Sequence, residues 1–185
     1  DGSNRGEEID GKFTWGPRMY FKGPSGTGVP SVKDVTITSK AYMYYNEGVG
    51  FFVRYNPTSG AHYRVAFDNS STDVDKTVVK LYKSTGRFNA ANTQNQLLLK
   101  SVDIVDSSKW FLNRTYQEVT FSFIGDAYKV LLRGNLIMEG SDPGSLSGGT
   151  VGMISSDWTY FKNLTLAGDF GTAFKNVDCS PCVAG

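Results

Sequence analysis

The sequence is poor in the side chains that most readily carry redox, metal or nucleophilic chemistry: two cysteines, one histidine and four methionines in 185 residues. Both cysteines sit in the carboxyl-terminal stretch, Cys179-Ser180-Pro181-Cys182, with only Val183, Ala184 and Gly185 after them. A redox CxxC normally opens a helix that follows a strand, because the helix end lowers a thiol pKa, and that context is missing. A closed zinc site needs four ligands, and His62 is the only histidine available. Three readings of Cys179 and Cys182 stay open: a local disulfide, pairing with a neighbouring domain, or an inert thiol pair. With one histidine no Ser-His-Asp set can be assembled, so His62 reads as structural or solvated. Charge of one sign is also absent. Nineteen Lys and Arg against eighteen Asp and Glu leave +1, which gives no global field to draw nucleic acid or an anionic membrane surface. No apolar run approaches the roughly 20 residues of a membrane-crossing helix, and the opening DGSNRGEEIDG has neither the basic start nor the apolar core of a signal peptide. The chain therefore reads as soluble, and its start at Asp1 suits a processed protein or a portion of a longer one. The Glu-x-Asp-x-Glu pattern, which would set paired carboxyl groups along one strand for glycoside cleavage, is missing as well; Glu8-Ile9-Asp10 runs on into Gly11-Lys12.

What is abundant points to sheets. Twenty-one Gly, twelve Phe and ten Tyr suit strands joined by tight turns, since aromatic rings pack well on pleated surfaces and Gly serves the turns. Short segments alternate with period two. In Gln117 to Ile124, Val119, Phe121 and Phe123 share one face, and Tyr128, Val130 and Leu132 do so in Tyr128 to Arg133. Arg133-Gly134-Asn135 reads as a hairpin turn into Leu136 to Glu139, with Gly and Asn taking the positive φ. Val49 to Tyr55, Tyr63 to Phe67, Val78 to Lys83, Gln96 to Lys100, Thr150 to Ser155 and Tyr160 to Leu166 complete the main set, with Phe13 to Phe21 and Val32 to Thr38 before them. No segment keeps a helical period; Ser107 to Asn113 has room for one short turn around Trp110. Strands apolar on one side need a second layer, so the expected architecture is an all-β, two-sheet antiparallel jelly-roll sandwich. It forms one domain over residues 1–168, with 169–185 as a tail or linker.

From Gly48 to Leu166 the order GVGFFVRY, HYRVAF, VVKLYK, STGRF, QEVTFSFIGDAYKVLLRGNLIMEG, SDPGSLSGGTVGMIS and YFKNLTL resembles the concanavalin A-like domains, over about two thirds of the chain. These include the levan-binding modules of bacterial fructanases and the 3-keto-disaccharide hydrolase-like domains, with laminin-G and thrombospondin carboxyl-terminal domains more distant. The resemblance implies a jelly roll of the lectin and glucanase type and points to the outer face of a curved sheet as a ligand surface. It specifies a fold better than a ligand. Where the hydrolase-like relatives imply an acid after Tyr63, this chain has Arg64.

Sugars are gripped by stacking on aromatics and by planar polar side chains that bond hydroxyls, a task suited to the five-donor Arg fork. The alternation puts Arg54 and Arg64 outward on neighbouring strands, with Tyr82 and Lys80 in the same phase. Arg87 follows in the next loop, and Trp158 and Tyr160 belong to a rim loop. Two adjacent guanidinium groups suggest an anionic glycan. No cofactor is required, although acid-bearing turns at Asp68, Asp73 and Asp75 suit structural calcium. The sequons at Asn69, Asn113 and Asn163 favour a secretory, extracellular setting. Asn69 and Asn113 fall in polar turns and suit glycan, whereas at Asn163 a sugar would compete with packing. The expected function is a non-catalytic carbohydrate-binding module of a secreted or cell-surface protein. An adhesion domain that binds an extracellular protein is the alternative, and a polysaccharide hydrolase or lyase comes third.

Overall fold

The computed structural model describes residues 18–20, 31–43, 48–69, 76–86, 95–105, 115–155 and 159–168. These residues contain eleven strands and no α-helix: β1 (Arg18–Tyr20), β2 (Val35–Met43), β3 (Gly48–Tyr55), β4 (His62–Asn69), β5 (Lys76–Ser84), β6 (Gln96–Val105), β7 (Gln117–Ile124), β8 (Ala127–Leu132), β9 (Asn135–Ser141), β10 (Thr150–Ser155) and β11 (Thr159–Gly168). They form a six-stranded sheet in the order β1-β10-β3-β4-β5-β6 and a five-stranded sheet in the order β11-β2-β7-β8-β9. All pairings are antiparallel.

The two-residue period places the core between the sheets, as the alternation predicts. Val119, Phe121 and Phe123 of β7 and Val130 and Leu132 of β8 meet Phe51, Val53, Tyr63, Val65, Phe67, Val79 and Leu81 of the other sheet in one buried cluster. Tyr63 stacks on Phe123 across the sandwich at 4.2 Å. Each such ring or branched chain is worth about 1.5–3 kcal/mol of burial, which opposes the entropy of ordering the chain. The edge strand β6 keeps Leu97, Leu98 and Val105 largely exposed.

Two backbone irregularities decide what faces outward. β3 carries two residues, Val53 and Arg54, where β10 has one, and Arg54 takes φ 54° there. β11 likewise carries an extra residue between Lys162 and Thr165, with Asn163 at φ 54°. Such bulges leave two consecutive residues on one side of the strand. The β8–β9 hairpin differs from its expected form: positive φ falls on Arg133 (52°) and Gly134 (75°), the pair a type I′ turn requires, and Asn135 already opens β9. The turn expected around Trp110 lies outside the described residues.

Candidate functional site

Arg54 does not join Arg64. The bulge turns it into the sandwich, where it is fully buried. Its guanidinium donates from Nε to the Lys33 carbonyl (2.7 Å), from Nη1 to the Leu146 carbonyl (3.0 Å) and from Nη2 to the Gly125 carbonyl (2.6 Å). It lies over the Phe123 ring at 4.2 Å, with Asp34 at 3.7 Å. Burial pushes its pKa down, while the charges of Tyr63, Asp34, Asp126 and Asp142 pull it up. Arg54 is therefore an internal tie among three loops, and no ligand on the outer face meets it. The strict alternation that predicted otherwise fails because a positive φ resets the phase. Beside this tie, the Tyr63 hydroxyl donates to Asp142 (2.5 Å) and accepts from the Leu146 amide, and Lys83 pairs with Asp142 at 2.7 Å.

Arg64 does reach the outer face of the six-stranded sheet and meets Tyr82, its register partner on β5. The guanidinium lies 4.7 Å from the Tyr82 ring centre, and Nη2 donates to Gln96 Oε1 at 3.2 Å. Asp68 and Lys80 follow on the same face, 3.7 Å apart; burial raises the Asp68 pKa, and Lys80 and Arg64 oppose that rise. This face is closed toward β3 and β10. Arg64 is 5% exposed, and Phe52 and Ile154 at its side are 3% and 1% exposed.

The opposite face of the sandwich is more open. On the five-stranded sheet Tyr160 and Tyr42 are register partners, and Tyr116 stands two residues before Glu118 at the entry to β7. Their rings form a row, with Tyr42 5.5 Å from Tyr116 and 5.7 Å from Tyr160. A second row runs alongside. Lys162 opposes Lys40, Lys40 opposes Glu118, and the amide of Arg133 bonds the Glu118 carbonyl at 2.8 Å. Lys162 Nζ sits 3.6 Å from the Tyr116 ring centre. Arg133 Nε donates to Gln117 Oε1, and Gln117 Nε2 donates to Thr115 Oγ1 at 2.6 Å. Lys40, Thr115, Tyr116, Gln117, Glu118 and Arg133 line a depression of about 600 Å³, within the size range of small-ligand sites.

Tyr160 is thus the expected ligand residue that this arrangement takes up, and it lies in β11 rather than in a rim loop. Sequence reasoning missed Tyr42, Tyr116, Lys40, Glu118 and Arg133. Their polar phase is readable in β2 and β7, but the pairing that assembles them spans some 80 to 120 residues of chain. The remaining candidates, Arg87, Trp158, Asp73, Asp75, Asn113, Cys179 and Cys182, lie outside the described residues. Asn69 ends β4. Among the described residues no three His, Cys, Asp or Glu side chains gather as metal ligands. Asn163 is exposed at its bulge, so the packing objection to a glycan there does not hold.

No protein-family model and no curated protein sequence matches the chain. Among solved structures it is similar to a carbohydrate binding module, CBM66, from Bacillus subtilis, with a TM-score of 0.56 and 16% identity over 85% of this chain and 92% of that one. It is similar also to CG-16, a homodimeric agglutinin from chicken liver, with a TM-score of 0.55 and 9% identity over 81% and 99% of the two chains. The fold is the concanavalin A-like jelly roll. At these identities the likeness concerns the jelly-roll backbone, and chemistry has to be argued from the side chains. On the outer face of the jelly roll's six-stranded sheet, Asp68 and Asp103 are separated by β5 and face different lysines, Lys80 and Lys76.

Proposed function

We propose that this chain is a non-catalytic carbohydrate-binding module of a secreted or cell-surface protein and that it holds a glycan along the tyrosine row of the five-stranded sheet. The observation that carries the reading is the position of Tyr116: 39% exposed, in contact with a second ring, and on the wall of a depression whose other walls are lysine, arginine, glutamate, glutamine and threonine. Aromatic faces receive the apolar side of a sugar ring, and planar or charged groups at the edge bond its hydroxyls. The Arg64–Tyr82 pair offers the same chemistry, but its guanidinium is buried. Two solved structures similar in fold, a carbohydrate binding module and an agglutinin, support this reading. The non-catalytic assignment is supported by the lining of the depression, in which Glu118 is the one carboxylate among Lys40, Thr115, Tyr116, Gln117 and Arg133, since glycoside hydrolysis needs two carboxyl groups that cooperate across one bond.

Affinity electrophoresis through gels containing single polysaccharides tests it. The wild-type chain is expected to be retarded by at least one glycan, and Tyr116→Ala to weaken that binding roughly tenfold, about 1.4 kcal/mol. Retardation by no glycan, or equal retardation of Tyr116→Ala, would refute the reading.

A further inference from the structure

The charged row beside the tyrosines contains an imbalance. Lys40 and Lys162 stand directly opposite each other on β2 and β11, an arrangement of like charges that destabilises a sheet. The ion pairs of the described residues engage Lys76, Lys80, Lys83 and Lys129, and among those residues neither Lys40 nor Lys162 has a carboxylate within 4.0 Å. Glu118 is the one acid in the row, across from Lys40, and Arg133 adds a third cation at the far end. Lys162 does not swing into solvent to relieve the repulsion. Its ammonium is held over Tyr116, at the aromatic row.

From this we infer that the site recognises an acidic glycan: a sugar ring lies on the tyrosine row and its anionic oxygens, carboxylate or sulfate, are received between Lys40 and Lys162. The inference rests on the carbohydrate reading and adds the class of sugar. An anion between the two ammonium groups converts a repulsion into two charge-assisted hydrogen bonds. The Tyr116 ring keeps one of the ammonium groups oriented in advance, which lowers the ordering cost of binding. A flat aromatic row next to a cationic row, both running across the strands, fits a sugar that presents an apolar face and an acidic edge. The pair of arginines that first suggests an anionic ligand in the sequence is not the source of this preference, because Arg54 is internal.

The test uses a matched set in affinity electrophoresis: dextran, dextran sulfate and polygalacturonate, with poly-glutamate as a polyanion without sugar. Retention by dextran sulfate or polygalacturonate is expected to exceed that by dextran at least tenfold, and the polymer that binds identifies sulfate or carboxylate as the preferred group. The double variant Lys40→Gln/Lys162→Gln should lose about tenfold or more of that affinity. Its thermal midpoint should stay unchanged or rise, since the variant also removes a repulsion. Dextran bound as tightly as its sulfate overturns the acidic preference and leaves the carbohydrate reading intact. No retention by any glycan, neutral or acidic, overturns both. Equal binding of poly-glutamate, or acidic-glycan binding undiminished in the double variant, overturns the site as drawn.

Discussion

Replacing Arg54 by Met separates the internal role of this residue from a ligand-binding one. Methionine keeps most of the volume and adopts the same positive φ at the same cost, so the change isolates the guanidinium. Two effects oppose each other. Removing a buried charge relieves its desolvation, which often makes apolar replacement of buried ions neutral or favourable. That holds only when the partners are replaced too, and the partners here are the main-chain carbonyls of Lys33, Leu146 and Gly125, which remain. Leaving an acceptor unpaired costs about 1–3 kcal/mol, toward the low end where the loop reaches water, and the contact with Phe123 is worth about 1–2 kcal/mol more. The carbonyl losses outweigh the relief, and a net destabilisation of about 3–5 kcal/mol is expected. That is a large share of the 5–15 kcal/mol of a typical domain. Arg54→Lys, with a single point donor in place of a fork, should fall between. Urea unfolding followed by tryptophan fluorescence measures both, and glycan affinity per folded molecule should be unchanged. Arg54→Met within 1 kcal/mol of wild type but deficient in glycan binding would refute the internal assignment.

Gly149→Ala should destabilise strongly, by about 2–4 kcal/mol, because a Cβ there would stand 2.3 Å from the Tyr55 carbonyl oxygen on a backbone at φ 157°; a thermal midpoint unchanged within 2 °C would contradict the close approach. Stability should also fall at both pH extremes. Burial tends to raise the Asp142 pKa, but hydrogen bonds from Lys83 and Tyr63, the Lys83 charge and the Gly144 amide outweigh it and hold it below the ordinary carboxylate value, so its contribution is complete above about pH 4 and is lost as pH falls through the lowered pKa. Burial, then the bond to Asp142, raises the Tyr63 pKa, so its contribution is complete below about pH 10 and is lost as pH rises through the raised value. Asp142→Asn should flatten the acid limb of a stability profile measured by urea midpoints, and an acid limb unaltered in that variant would remove Asp142 as its cause.

Most of the fold is legible in the sequence because burial on one side forces alternation, and alternation survives wherever the backbone stays regular. β7 and β8 follow it residue by residue, and the described strands other than β1, β2 and β6 overlap their expected ranges closely; β6 runs on to Val105, twice the expected length. The reading fails at Arg54 and at Arg133, where a non-glycine residue takes positive φ. A side chain that prefers negative φ gives no local sign that it has been forced over, at a cost of about 1–2 kcal/mol, by what surrounds it. The candidate site was half legible. Tyr160 was visible as an aromatic near a rim, but its neighbours Tyr42 and Tyr116 come from strands joined only through β2–β7 and β2–β11 pairing. Local patterning fixes the phase of each strand and leaves its neighbours in the sheet undetermined.

The β11 bulge is what makes the tyrosine row possible. Phe161 is buried and so are Leu164 and Leu166, three core residues whose spacing of three and then two cannot be met by a regular strand. A strand without the extra residue that kept Leu164 and Leu166 inside would turn Tyr160 and Lys162 into the core and expose Phe161, since a slip of one residue exchanges the faces. Asn163, among the residue types that best tolerate positive φ, absorbs the slip and points to solvent. The Lys162 carbonyl at the bulge accepts the hydroxyl of Ser39, a fully buried residue facing it from β2. Ser39→Ala would remove that bond from the core and loosen the bulge that adjoins the Lys162–Lys40 pair. If the bulge positions the site, that change should weaken glycan binding although Ser39 touches no ligand. Binding equal to wild type in a folded Ser39→Ala variant would show that the serine bond is not needed to hold the lysine row in place.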